Sequence, residues 1–345
     1  MQKMIFVVDD NDINLAVAGE ALDAYYRVMT LPSAAKMFAL LEKVDPPDLI
    51  LLDIEMPEMN GFEALSLLKS NSKYADIPVI FLTSMTDANI EVRGFQLGVV
   101  DFITKPFSAP VLLNRIKTHL DIDDIIRERT SQLNSLKNGI VFVLADMVEN
   151  RDEGTGGHVE RTTMYIEILV NAMIANSKYT NEISGMDTES LITSARLHDV
   201  GKISISDVIL NKPGKLTEEE FEKMKHHTIE GERIINQIVS RTDNVEFLRN
   251  AKLFTNAHHE RWDGKGYPYG LTGDDIPMQG RIMAIADVYD ALISERPYKK
   301  AFSHEEACRI IEEGAGTQFD PDIVKVFLSV EDDFSQVEKT MVIGD

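Results

Sequence analysis

Four short apolar runs, MIFVV, LILL, IPVIFL and VDFI, lie between residue 4 and about residue 120, separated by stretches with helical spacing. Runs this short, with no polar alternation, suit strands buried on both faces. A sheet is covered on both faces when helices cross over between parallel strands. The pattern predicts an α/β doubly wound domain with a five-stranded parallel sheet, spanning residues 1–120. Ligands of such sheets sit beyond the carboxyl ends of the strands, so the polar residues at those ends carry information.

Asp9 and Asp10 follow the first run, Asp53 follows LILL, Thr83 follows IPVIFL, and Lys105 follows VDFI. Three converging carboxylates repel one another unless a cation sits among them, and oxygen ligands of this kind suit Mg²⁺. A lysine and a threonine beside them hold a phosphoryl group by charge and hydrogen bond. Asp53 is then the nucleophile that forms an acyl phosphate. A single acid at a strand end is commonly just solvated; five such residues in this order argue for a site.

These residues, with DIEMPEMNG at 53–61 and DFITKPF at 101–107, resemble the response-regulator receiver family. The resemblance implies Mg²⁺ in the receiver domain and phosphorylation of Asp53 by a cognate histidine kinase. It also implies that Phe102 follows the position of Thr83, with core packing as the competing role of that ring.

A helix beginning near Ala109 runs from Val111 to Gly139 without an interrupting glycine or proline. Apolar or long side chains recur at His119, Ile122, Ile126, Arg129, Leu133, Leu136, Ile140, Val143 and Met147, in alternating steps of three and four. That heptad rhythm predicts a helical linker over 121–140, a coiled coil with a second copy, and hence a homodimer. A single amphipathic helix packed on its own chain fits the same pattern.

After residue 140 strand alternation is absent and helical patterns dominate, which predicts an all-α domain over 141–345. Thr217 with Glu220, and Ser303 with Glu306, mark two helix starts. His304 then falls in a first turn and reads as a surface residue. Six of the eight histidines, His158, His198, His226, His227, His258 and His259, fall between 158 and 259. Asp199 adjoins His198, and Asp287 lies in the apolar segment RIMAIADVYDAL, where an unpaired carboxylate is costly. Imidazoles mixed with carboxylates suit Fe, Mn or Zn, and there are more donors than one ion needs. Two ions sharing a carboxylate suit phosphoryl chemistry.

The stretches TGGHVER, HDVGK, MKHHTIEG, HHERWDGKGYP, LTGDDIPMQGRIMAIADVYDAL and RPYK together resemble the HD-GYP family of HD-superfamily phosphohydrolases. The resemblance implies that His158, His198, Asp199 and Asp287 form the general ligand set. His227, His258 and His259 complete a second metal, with Asp199 bridging. The ions expected are two Fe or Mn, in preference to Zn. Asp199 and Lys202 are the expected catalytic residues, Lys202 lying near the substrate phosphate. Tyr267, Arg296 and Lys299 are expected substrate contacts, and Trp262 is packing. Family members often carry a glutamate four residues before the first histidine. Gly154 stands there, beside Glu153, so a third ion is not expected. The implied reaction is hydrolysis of cyclic di-GMP to linear pGpG, or onward to GMP. Alternatives are another cyclic dinucleotide, or a scaffold that binds partners without turnover.

The formal net charge of −22 leaves no bulk basic surface and argues against a nucleic-acid polymer as partner. The single cysteine, Cys308, excludes an internal disulfide and reads as a buried thiol. The apolar stretch in MQKMIFVVDD is too short for a signal peptide, and no run reaches the roughly 18 residues of a membrane span. A cytoplasmic setting without membrane insertion is expected.

Overall fold

The computed structural model describes residues 2–84, 88–152, 157–176, 179, 183, 186–242, 246–295 and 300–341. It divides into two compact units, Met1–Leu133 and Asn134–Asp345.

In the first unit the strands are β1 Met4–Val8, β2 Arg27–Leu31, β3 Leu49–Asp53, β4 Val79–Thr83 and β5 Asp101–Thr104. All pair in parallel in the order β2-β1-β3-β4-β5. Side chains alternate between two cores. Phe6, Val8, Ile50, Leu52 and Phe81 face one cluster, whereas Ile5, Val7, Leu49, Leu51, Ile80 and Leu82 face the other. With both faces covered, these strands read as unbroken apolar runs. β2, with sequence RVMTL, is an edge strand and only its last residue is buried, so it gave no such run. Helices α1 Asp12–Leu22, α2 Ala34–Leu41, α3 Gly61–Ser70 and α4 Ala88–Gln96 supply the crossovers.

Helix α5 spans Ala109–Glu149 without interruption, beyond the 121–140 expected of a linker. Of the heptad positions, Ile122, Ile126, Leu133, Leu136, Ile140, Val143 and Met147 are exposed. His119 departs from the pattern. Its Nε2 lies 3.1 Å from Asp101 Oδ2, which Arg115 also holds at 2.7 Å.

The second unit is helical: α6 His158–Ala175, α7 Thr188–Ala195, a 3-10 turn Val200–Ser204, α8 Asp207–Leu210, α9 Glu218–Val239, α10 Glu246–Ala257, α11 Met278–Ile293, α12 His304–Glu313, α13 Pro321–Ser329 and α14 Glu331–Met341. Among the described residues, β pairing there is limited to the isolated bridges Asp263–Thr272 and Ala315–Phe319. The main core joins α6, α11, α12, α13 and α14, and a smaller one joins Val141 to Leu197, Ile235 and Phe247. The α9 capping box of Thr217 and Glu220 forms as the sequence predicts. His304 is more enclosed than expected, because its Nδ1 lies 2.8 Å from the hydroxyl of buried Tyr289 and its ring lies beside buried Cys308. No described helix is long and apolar enough to cross a membrane.

Candidate metal centre and phosphoacceptor site

Three imidazoles are aimed by their own backbone. His198, just past α7, has Nδ1 3.0 Å from the carbonyl of Ala195. His227, within α9, has Nδ1 2.7 Å from the carbonyl of Met224. His258, just past α10, has Nδ1 3.0 Å from the carbonyl of Phe254. A carbonyl can only accept, so Nδ1 carries the proton in each neutral ring and Nε2 presents a lone pair. The Nε2 atoms of His227 and His258 stand 3.3 Å apart, two lone pairs turned toward each other, an arrangement that calls for a cation.

Asp199, at the start of the 3-10 turn, lies among these rings. Its Oδ1 is 3.3 Å from His227 Nε2 and 3.6 Å from His258 Nε2, and its Oδ2 is 3.4 Å from His198 Nε2. One carboxylate thus faces two groups of imidazoles with different oxygens. Burial pushes its pKa up, but the Lys202 ammonium outweighs that and holds it well below the carboxylate range. Lys202 Nζ bonds Asp199 Oδ2 at 2.9 Å and Asp152 Oδ2 at 3.1 Å. Burial lowers the pKa of Lys202, and these carboxylates more than reverse it.

His158 opens α6. Its Nδ1 is 2.8 Å from Asp290 Oδ2, and its Nε2 is 3.5 Å from Asp287 Oδ1. The sequence placed the costly buried acid at Asp287. The structure corrects this: the Asp287 side chain is 23% exposed at the cavity edge, and Asp290, one turn later, is the buried one. Asp290 is held by His158 and by both Nε and Nη2 of Arg161, at 2.6 and 3.0 Å.

His259 completes the group, its ring 5.1 Å from that of His227. Burial, aided by His258, drives the His227 pKa down to about 4, and burial with His258 and His227 holds His259 well below its usual value. His226 is exposed, outside the cluster.

The ligand atoms fall into two trios, His227 with His258 and His259, and His158 with His198 and Asp199, each within 4.8 Å. His198 Nε2 and Asp199 Oδ1 are buried with no hydrogen-bond partner among the described residues. Bare buried acceptors are costly, and a divalent cation satisfies them. Imidazole with carboxylate suits Fe, Mn or Zn, so the residues present fit such ions.

A cavity of about 290 Å³ opens beside the cluster, lined by Phe221, Lys225, His258, His259, Tyr267 and Asp287 among others. The Tyr267 ring lies 4.7 Å from that of His259, tilted by 33°. Gly266 is required beneath it, since a Cβ there would lie 2.4 Å from the Arg261 nitrogen. Glu260 anchors the loop from below, accepting the Tyr269 and Leu271 N–H groups at 2.7 and 3.0 Å. The Trp262 ring lies beside Gly273, 3.9 Å from where a Cβ on that residue would stand. Arg296 and Lys299, and Glu153 and Gly154, lie outside the described residues.

In the first unit Lys105 Nζ lies 2.7 Å from both Asp9 Oδ2 and Asp53 Oδ1. Asp9, Asp53 and Thr83 are buried, and Asp10 is exposed. Burial raises the Asp53 pKa, with Lys105 opposing and Asp9 reinforcing it. Phe102 is buried against Phe81 and Phe95, beside Gly94.

Sequence reasoning missed Glu149, Asp290, Arg161 and Glu260. Only Asp290 left a signal, as a second acid one turn after Asp287 on the same helix face.

The HD domain family matches residues 142–323, and the response regulator receiver domain family matches residues 5–117. The chain belongs to the HD domain family and carries a receiver domain ahead of it. Among particular relatives, it is 40% identical over 351 residues to the "Probable cyclic di-GMP phosphodiesterase" of Vibrio cholerae serotype O1, covering 97% of this chain and 79% of that one. It is 36% identical over 295 residues to the "Cyclic di-GMP phosphodiesterase response regulator RpfG" of Xanthomonas campestris pv. campestris, covering 81% and 75%. It is also 37% identical over 209 residues to the "3'3'-cGAMP-specific phosphodiesterase 2" of Vibrio cholerae serotype O1, covering 61% and 38%.

Proposed function

We propose that this chain is a response regulator whose HD domain is a metal-dependent phosphodiesterase acting on cyclic di-GMP. The observation that carries the reading is Asp199, whose two oxygens face separate sets of imidazole lone pairs. Two Fe or Mn ions would be held by His158, His198, Asp199 and Asp287 on one side and by Asp199, His227, His258 and His259 on the other. Such ions supply charge stabilisation at a phosphate and make water acidic at neutral pH. Lys202, kept protonated by Asp199 and Asp152, offers charge to a phosphate oxygen. Tyr267 forms a wall of the cavity, with Arg296 and Lys299 as further substrate contacts. In the reaction a water oxygen attaches to phosphorus, the bond from phosphorus to the 3′ oxygen breaks, and that oxygen takes a proton, giving pGpG. The same step on pGpG gives GMP.

Asp53 is the phosphoacceptor in this reading, with Mg²⁺ at Asp9, Asp10 and Asp53, phosphoryl contacts from Thr83 and Lys105, and a histidine kinase as donor. A cytoplasmic location goes with that partner. The exposed heptad face of α5 supports a homodimer. A second reading, 3′3′-cGAMP as substrate, is favoured by the relative of that specificity. A scaffold without turnover fits poorly with a complete ligand set.

The test is purified full chain, loaded anaerobically with Fe²⁺ or Mn²⁺ and offered each cyclic dinucleotide separately. Conversion of cyclic di-GMP to pGpG is expected. Faster cleavage of 3′3′-cGAMP favours the second reading, and no turnover of either by metal-loaded protein overturns both.

A further inference from the structure

Helix α6 begins with a deficit. Its N-cap residue, Gly157, is in the left-handed region at φ 75 and offers no side chain to the first N–H groups. The cap comes instead from the last residue of α5. The Glu149 carboxylate accepts the His158 N–H at 2.6 Å through one oxygen and the Val159 N–H at 3.0 Å through the other. Glu149 is 8% exposed, and a carboxylate is the charge that a helix N-terminus favours.

Two residues later the polarity reverses. The Arg151 guanidinium donates to the carbonyls of Lys202, Ile203 and Ile205 at 3.3, 2.9 and 3.0 Å, and to Asp207 Oδ1 at 2.7 Å. Those carbonyls end the 3-10 turn that starts beside Asp199, and a cation is the charge that such an end favours. The Arg151 carbonyl in turn accepts Asn211 Nδ2 at 2.8 Å. The end of α5 and the turn just after it therefore grip one ligand helix through an anion and the other ligand segment through a cation. His158 and Asp199 reach the cluster from these two gripped segments.

We infer that Glu149 and Arg151 are positioning residues that set the spacing of His158 from Asp199, so that the end of α5 and the turn just after it control how tightly the centre holds metal. This rests on reading the cluster as a metal centre. Each acts through backbone that carries a ligand. Outer groups that orient ligands typically change metal affinity about 10–100-fold when removed.

The experiment is Mn²⁺ titration into metal-free full chain, wild type against Glu149→Ala, Glu149→Gln and Arg151→Ala, with His226→Ala as control. Dissociation constants are expected to rise about 10–100-fold for Glu149→Ala and Arg151→Ala. Glu149→Gln, which keeps one acceptor oxygen, should fall between. The rise in melting temperature on adding Mn²⁺ should shrink in step, which a merely structural role would leave unchanged. Should Glu149→Ala fail to fold, Glu149→Gln and Arg151→Ala decide the matter. Folded variants with wild-type Mn²⁺ affinity overturn the inference while leaving the metal centre intact. A wild type that takes up no Mn²⁺ overturns the metal reading and this inference with it.

Discussion

Gly201 and Gly231 lie backbone against backbone. A Cβ on Gly201 would fall 1.9 Å from the carbonyl oxygen of His227 and 2.4 Å from the nitrogen of Gly231. This contact presses the 3-10 turn carrying Asp199 onto α9 carrying His227, and the 3.3 Å separation of their ligand atoms depends on it. Gly201→Ala is expected to destabilise the second unit by roughly 3 kcal/mol and to weaken metal binding. Thermal denaturation and metal titration check this, and a variant with wild-type melting would show that the backbone yields easily.

Asp199→Asn keeps the shape but removes the charge shared between the two imidazole groups. Turnover is expected to drop by more than about a hundredfold, with metal content falling alongside. The receiver domain should keep its phosphorylation, since it belongs to the other unit. Wild-type turnover in metal-depleted Asp199→Asn protein would sink the metal mechanism.

Asp53 sits 2.7 Å from Lys105 in the first unit. With Mg²⁺ and acetyl phosphate, label is expected on wild type and absent from Asp53→Asn. Intact-mass measurement reads this directly, and undiminished labelling of the variant would move the phosphoacceptor elsewhere.

Acid should loosen the metal-free protein. Burial, reinforced by His258 and Lys202 and opposed by Asp199, lowers the His227 pKa from 6.5 to about 4. Between those values the unfolded chain binds a proton that the folded one refuses, so stability falls as pH drops. The loss approaches about 3 kcal/mol near pH 4. His259 acts in the same direction. Urea unfolding from pH 7 to 4.5 in chelator should show the slope, and His227→Gln should flatten it. Equal slopes in both proteins would count against a neutral buried imidazole.

If the α5 face pairs with a second copy, phase along the helix matters. A two-residue insertion after Ser131 turns everything beyond it by about 200°. Phosphorylation is then expected to lose its effect on turnover, while turnover itself persists. Sedimentation and paired assays check this, and a normal response in the insertion variant would exclude transmission along the helix.

The sequence exposed whatever is local. Both faces of β1, β3 and β4 are buried, so their runs stood out, while the edge strand RVMTL did not. The cluster histidines were legible because imidazole is scarce in this chain and seldom grouped without cause. Glu149 and Glu260 were not, since an acid that caps a distant N–H reads like any surface acid. Asp287 drew attention as the buried carboxylate when Asp290 held that place. Spacing alone fixes a shared helix face but not which of two acids lies deeper.

His198, His227 and His258 each take their orientation from a carbonyl three or four residues back in their own segment. Their pose is therefore portable. A protein engineer grafting this centre into an unrelated helical scaffold would need to reproduce the three backbone positions, and the rings would turn correctly without imported neighbours. His158 differs, because Asp290 from another helix sets its ring, so that pair would have to be transplanted together.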